Sequence, residues 1–188
     1  ENYKVRPLSL LTMRKVPTDA DLIVISGPKG ELSSGELEAL SNYLRDGGHA
    51  LFMLDPYSVP GLSAYLSQFG FALEESVIVD DQNQVAGGEP LMPMIAKFAT
   101  DVFPRQPRGE PMLPVVQPVR VQDGKAQAFA FSGDTSWIVK NKERAERNEL
   151  NFKAGEDERG PFPVASIATV EGGKDGKVIV LGDSDFVN

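Results

Sequence analysis

The chain has no cysteine among its 188 residues. That excludes disulfides, thiolate nucleophiles and every cysteine-held zinc, iron–sulfur or redox centre. It leaves the compartment open, because such a chain tolerates reducing and oxidising surroundings alike. His49 is the single histidine, so a Ser–His–Asp triad has one possible base and a multi-histidine metal site has none. No stretch approaches the roughly 20 consecutive apolar residues of a membrane-spanning helix. The opening Glu1-Asn2-Tyr3-Lys4 is not the basic start of a signal peptide. Positive charge is scarce as well: 19 Lys and Arg against 27 Asp and Glu give a net charge of −8. A nucleic-acid partner would require a basic face to replace phosphate counterions, and the same acidity disfavours a grip on anionic lipid.

What remains is an ordinary globular composition, 41% hydrophobic and 24% charged, long enough for one domain with a real core. Residues 1–188 read as a single α/β domain. Leu22-Ile23-Val24-Ile25-Ser26 is a short β-branched run ended by the loop Gly27-Pro28-Lys29-Gly30, the pattern of a buried parallel strand. Ser33 and Glu36 stand at capping-box spacing ahead of Leu37, Leu40, Tyr43 and Leu44, and Gly47-Gly48 stops that helix. A second strand, His49–Leu54, ends at Asp55-Pro56. Leu62, Tyr65, Leu66 and Phe69 then mark a second helix, and Val77-Ile78-Val79 a third strand ended by Asp80-Asp81. Strand–helix–strand–helix–strand with right-handed crossovers predicts a doubly wound, mostly parallel, flavodoxin-like sheet in a three-layer sandwich.

Residues 82–114 form an irregular excursion rich in glycine and proline (Gly87-Gly88, Pro90, Pro93, Pro104, Pro107, Gly109, Pro111 and Pro114), with a possible helix over Met94–Phe103. Excursions of that length are functional or mobile more often than not. Val115–Val121 and Ala126–Phe131 alternate around Asp123-Gly124, a type I′ turn signal, and predict an added β-hairpin. Residues 140–160 are a charged insertion. Val164–Val170 and Lys177–Leu181 are the last strands, joined by a Gly172–Gly176 turn.

Several strands end in small or acidic residues, which makes Ser26, Gly27, Asp55, Asp134, Asp183, Ser184 and Asp185 candidate ligand-binding residues at the carboxyl edge of the sheet. Trp137, the sole tryptophan, is a further candidate as an interface residue. The plainer reading of each Asp and Ser is an N-cap accepting from free helix amides; that of Trp137 is an anchor pinning a loop to the core. Asp183-Ser184-Asp185 resembles the paired-aspartate signature of haloacid-dehalogenase-type phosphotransferases, but that motif opens its fold and requires a catalytic lysine downstream, whereas three residues follow Asp185. Gly27-Pro28-Lys29-Gly30 lacks the spacing and the Lys-Ser/Thr of a phosphate loop, and Ser26 lacks a nucleophile elbow. These readings leave catalytic residues none and metal ligands none.

Taken in order, Val16-Pro17-Thr18-Asp19-Ala20-Asp21 through Ser26-Gly27-Pro28-Lys29, then Leu40–Gly48, Leu51–Pro56, Gly61-Leu62, Phe69-Gly70, Val79-Asp80, Thr135-Ser136-Trp137, Gly160–Ala165 and Gly182–Phe186 resemble the auxiliary domain of ABC-type transport systems found in gliding-motility-associated proteins, the GldG type. The segment 100–114 departs from a His-Pro-containing stretch common there. The resemblance implies a fold related to class I glutamine amidotransferases without their catalysis, and the missing cysteine agrees. It further implies no cofactor, ABC permease and ATPase subunits as partners, and a place on the extracytoplasmic (periplasmic) face of a bacterial inner membrane. The chain would then be the soluble part of a longer protein anchored by transmembrane helices outside it. Two other classes stay open. One is a metal-dependent hydrolase or transferase using Asp55, Asp183 and Asp185. The other is a surface glycan- or peptide-binding module presenting Trp137 and Tyr57.

Overall fold

The computed structural model describes residues 3–57, 60–83, 88–104, 109 and 111–187. Gly87 and Pro107 of the irregular excursion, and Asn188, lie outside them. In chain order the elements are α1 (Leu10–Met13), β1 (Leu22–Ser26), α2 (Ser34–Arg45), β2 (His49–Met53), α3 (Pro60–Ser67), β3 (Phe71–Leu73), β4 (Val77–Val79), β5 (Lys97–Phe98), β6 (Val119–Val121), β7 (Ala126–Phe131), β8 (Trp137–Val139), α4 (Lys142–Glu146), β9 (Glu158–Arg159), β10 (Pro163–Thr169) and β11 (Lys177–Leu181), followed by a 3-10 turn at Asp185–Val187.

The main sheet runs β1-β2-β11-β10-β7-β5. β1, β2 and β11 are parallel and in step: Val24 faces Leu51, and Leu51 faces Ile179. β10, β7 and β5 continue the sheet through antiparallel pairings. Half of the sheet is therefore parallel, and the third parallel strand is β11, from the far end of the chain. Val77–Val79, expected in that place, instead forms β4 in a separate sheet of order β4-β8-β9. Local sequence offers no way to tell the two apart, since both are short buried apolar runs.

α2 begins with the capping box expected of it. The Ser33 hydroxyl accepts from the Glu36 amide, and the Glu36 carboxylate accepts from the Ser33 amide at 2.9 Å. Leu40 and Leu44 from α2 and Leu62 and Leu66 from α3 pack with Ala50, Phe52, Val178 and Val180 in one apolar cluster. Those four strand residues are at alternating positions of β2 and β11 and so share one sheet face. Both longer helices thus lie on that face. Ile167, Ile179 and Leu181 point to the opposite face, where they pack with Ile95, Phe98 and Leu113 from the irregular excursion and with Val116 just after it. The doubly wound three-layer arrangement is corrected accordingly: among the described residues, irregular chain covers the second face where helices were expected. Near β1 that face stays open, with Leu22 49% and Val24 51% exposed.

Three other expectations change. Met94–Phe103 carries the two-residue strand β5 and no helix. The Asp123-Gly124 turn forms, both residues with positive φ (58° and 66°) as type I′ requires. The flanking strands nevertheless separate: β6 pairs with β3, and β7 pairs with β10. The charged segment 140–160 contains α4, whose Arg144 is buried against Asp157 at 2.9 Å. Solvated charge surrounds a packed ion pair there.

Candidate carboxylate site at the parallel-strand ends

Because β1, β2 and β11 run parallel and in register, their carboxyl ends come out side by side. β1 ends at Ser26, Asp55 lies two residues beyond β2, and Asp183 two residues beyond β11. The sheet thereby joins positions 128 residues apart. One carboxylate oxygen from each of Asp55, Asp183 and Asp185 lies within 4.8 Å of the other two.

Each member is held by specific contacts. Asp55 accepts the Ser184 amide at 2.9 Å and the Lys29 ammonium at 3.2 Å. Burial pushes its carboxyl upward, and the hydrogen bonds from Ser184 and Lys29 outweigh that and hold it below the usual range. Asp183 is 1% exposed. Its Oδ1 accepts the Asp185 amide at 2.8 Å, while among the described residues its Oδ2 is buried without a hydrogen-bond partner. Burial is the first cause that raises Asp183 to about 6; the amides of Asp185 and Phe186 oppose it, and the charges of Asp185 and Asp55 add to it. The capping expectation therefore holds for one oxygen of Asp183. Asp55 accepts across the sheet edge, from the segment after β11.

Gly27 lets the β1 loop close on this cluster. Its φ is +51°, and a Cβ there would lie 2.7 Å from the Ser184 hydroxyl and 3.4 Å from Asp55 Oδ2. A side chain would meet both strain and collision. Ser26, Gly27, Asp55, Asp183, Ser184 and Asp185 thus lie on one edge, as expected. Two candidates stand apart from the cluster. Asp134 is exposed in the β7–β8 loop. Trp137 is buried in β8 with Val77, Val79 and Leu150, its indole N–H donating to the Leu150 carbonyl at 2.8 Å. It anchors loop to core, and Tyr57 packs against the same cluster, so the pair presents no exposed aromatic platform.

Sequence reasoning missed two contributors. Lys29 was weighed only as part of a failed phosphate loop. Gln117 donates from Nε2 to the carbonyls of Leu54 and Asp55, both at 2.9 Å, and its amide donates to the Gly182 carbonyl at 2.8 Å. It ties together the exits of β2 and β11, and nothing local in the sequence signals a partner 62 residues away. His49 starts β2, where its Nδ1 accepts the Lys177 amide. The length of the strand, about 13 Å at 3.3 Å per residue, separates it from the carboxylates. A surface groove touching Glu38, Arg45, Lys125 and Glu171 sits at that same far edge, away from the cluster.

Fold and site together define a mixed α/β domain with a cluster of carboxylates at its parallel-strand ends. A family model described as an ABC-type uncharacterized transport system matches residues 1–86 of the 188, which takes in β1, β2 and Asp55. No curated protein matches. Among solved structures, the mmIFT52 N-terminal domain is similar in fold, with a TM-score of 0.63 at 18% identity over 87% of this chain. The chain spans 66% of the length of that structure. A ThuA-like protein from Bacteroides uniformis (TM-score 0.44, 11% identity, 87% of this chain and 60% of that one) and a cytoplasmic protein from Salmonella typhimurium (TM-score 0.44, 14% identity, 96% and 65%) are more distant. Among the described residues no helix is long and apolar enough to cross a membrane.

Proposed function

We propose that this chain is a non-catalytic auxiliary domain of an ABC-type transport system. It would be carried on the extracytoplasmic face of a bacterial inner membrane by segments outside it, and would work through contact with permease and ATPase subunits or with a ligand. The family match over residues 1–86 is the observation that carries this reading. Two features support it. The chemistry of a glutamine amidotransferase requires a cysteine that the chain lacks, and the one histidine lies at the wrong end of β2 to serve the carboxylate cluster as a base. The kinship with gliding-motility-associated proteins belongs to the same proposal.

The test is to purify the full-length protein from its native membrane and identify what accompanies it by mass spectrometry. Recovery of an ABC permease and ATPase is expected; their repeated absence under mild detergent would refute the reading. A second reading, a metal-dependent hydrolase, draws on the convergence of Asp55, Asp183 and Asp185. It predicts turnover of ester or phosphoester substrates that requires a divalent cation and is lost in Asp185→Asn.

A further inference from the structure

We propose that Asp55, Asp183 and Asp185 form a binding site for a divalent cation of the calcium class. Two oxygens bound to one calcium ion at about 2.4 Å can stand no more than about 4.8 Å apart. One oxygen from each of these three carboxylates meets that limit with respect to the other two. Acidic side chains often gather without a ligand, so the decisive feature is Asp183. It is 1% exposed, and among the described residues its Oδ2 is buried without a hydrogen-bond partner. A buried carboxylate oxygen is costly to leave unpaired, and here Asp55 and Asp185 each bring a further carboxylate oxygen within 4.8 Å of an Asp183 oxygen. A cation on Oδ2 would satisfy the orphaned acceptor and neutralise the mutual repulsion together.

The donor set also indicates the metal. All three donors are carboxylate oxygens, with no histidine or cysteine to favour zinc, copper or iron. Magnesium usually takes one or two carboxylates together with substrate phosphates and water, whereas calcium accepts several protein carboxylates in flexible geometry. The position adds a structural consequence. Asp55 follows β2 and Asp183 follows β11, so an ion there would cross-link the ends of neighbouring strands and the turn at Asp185–Val187. Lys29, whose side chain is largely solvent-exposed, pairs with the cluster from its rim, its ammonium 3.2 Å from Asp55 Oδ2. It can swing away as an ion enters. This proposal is independent of the transporter reading, since it concerns the purified chain alone.

The test is calorimetric titration of chelator-stripped protein with calcium chloride and, separately, magnesium chloride, alongside thermal melts in each salt. One calcium per chain is expected, with a Kd at or below about 1 mM and weaker binding of magnesium, and Tm should climb with calcium concentration. Asp185→Asn, at an exposed position, should weaken calcium binding at least about tenfold without loss of fold, and Asp183→Asn should do the same. No heat and no Tm change in about 10 mM calcium would overturn the proposal. So would wild-type affinity in both variants, or tighter binding of magnesium than of calcium.

Discussion

Asp183→Asn in the metal-free protein should make the chain more stable at neutral pH, and the size of the gain can be worked from its surroundings. The folded protein holds the Asp183 carboxyl at about 6 against an ordinary value of 3.8. At 1.36 kcal/mol for each pH unit between the two, ionising this group in the fold costs about 3 kcal/mol. Because the folded value is raised, Asp183 contributes its full stability below pH 3.8 and loses it as pH rises through about 6. Asparagine keeps an oxygen for the Asp185 amide and never ionises. The difference in unfolding free energy, variant minus wild type, should therefore be small near pH 4, grow through pH 4–6, and level off above pH 7 at about 3 kcal/mol. Comparing the two proteins cancels the opposite pH trend of Glu158, whose carboxyl is held low away from Asp183. Urea melts in EDTA, followed by the fluorescence of the buried Trp137, would measure the difference at each pH. A difference that stays constant with pH, or an asparagine variant less stable than wild type at pH 7.5, would refute the account of Asp183 as a buried carboxyl strained by its neighbours.

Other outcomes follow from single contacts. Gly27→Ala should destabilise by about 1–2 kcal/mol, because it adds left-handed strain to a Cβ 2.7 Å from the Ser184 hydroxyl; a neutral result in chemical denaturation would show that the β1 loop does not close on the cluster. Arg144→Leu removes the partner of Asp157, whose side chain is 1% exposed, and should cost about 3 kcal/mol or more; a loss under 1 kcal/mol would mean that Asp157 rehydrates in the variant. Ser33→Ala breaks the capping box of α2 and should cost about 1 kcal/mol, read as a lower urea midpoint with an unchanged m-value.

The legible parts of this protein were those in which a few neighbouring residues decide the outcome. Ser33 and Glu36 announced the start of α2 because a capping box needs only three residues of spacing. Asp123-Gly124 announced its turn because positive φ at both positions is a local demand. The strands β1, β10 and β11 are visible as runs rich in β-branched residues, and β2 as a short apolar run. Ser26, Gly27, Asp55, Asp183, Ser184 and Asp185 could be named because small and acidic residues follow parallel strands. Asp134 entered on the same ground but follows β7, two strands from β11 in the same sheet, and Trp137, a candidate as the sole tryptophan, is buried in β8.

The sequence by itself determined the alternation of strands and helices, the acidity, and the chemistry that the chain cannot perform without cysteine and with one histidine. Only the tertiary structure decided which strands became neighbours. β11 took the place beside β2, β4 left for a second sheet, and the flanks of the Asp123-Gly124 turn parted to different partners. Strand pairing is settled by backbone hydrogen bonds and side-chain packing between segments far apart in the chain, and no short window of sequence contains both halves of such a contact. The carboxylate cluster depends on that pairing. Asp55 and Asp183 become neighbours because β2 and β11 run parallel and in step, and a slip of one residue in that register would turn them to opposite faces.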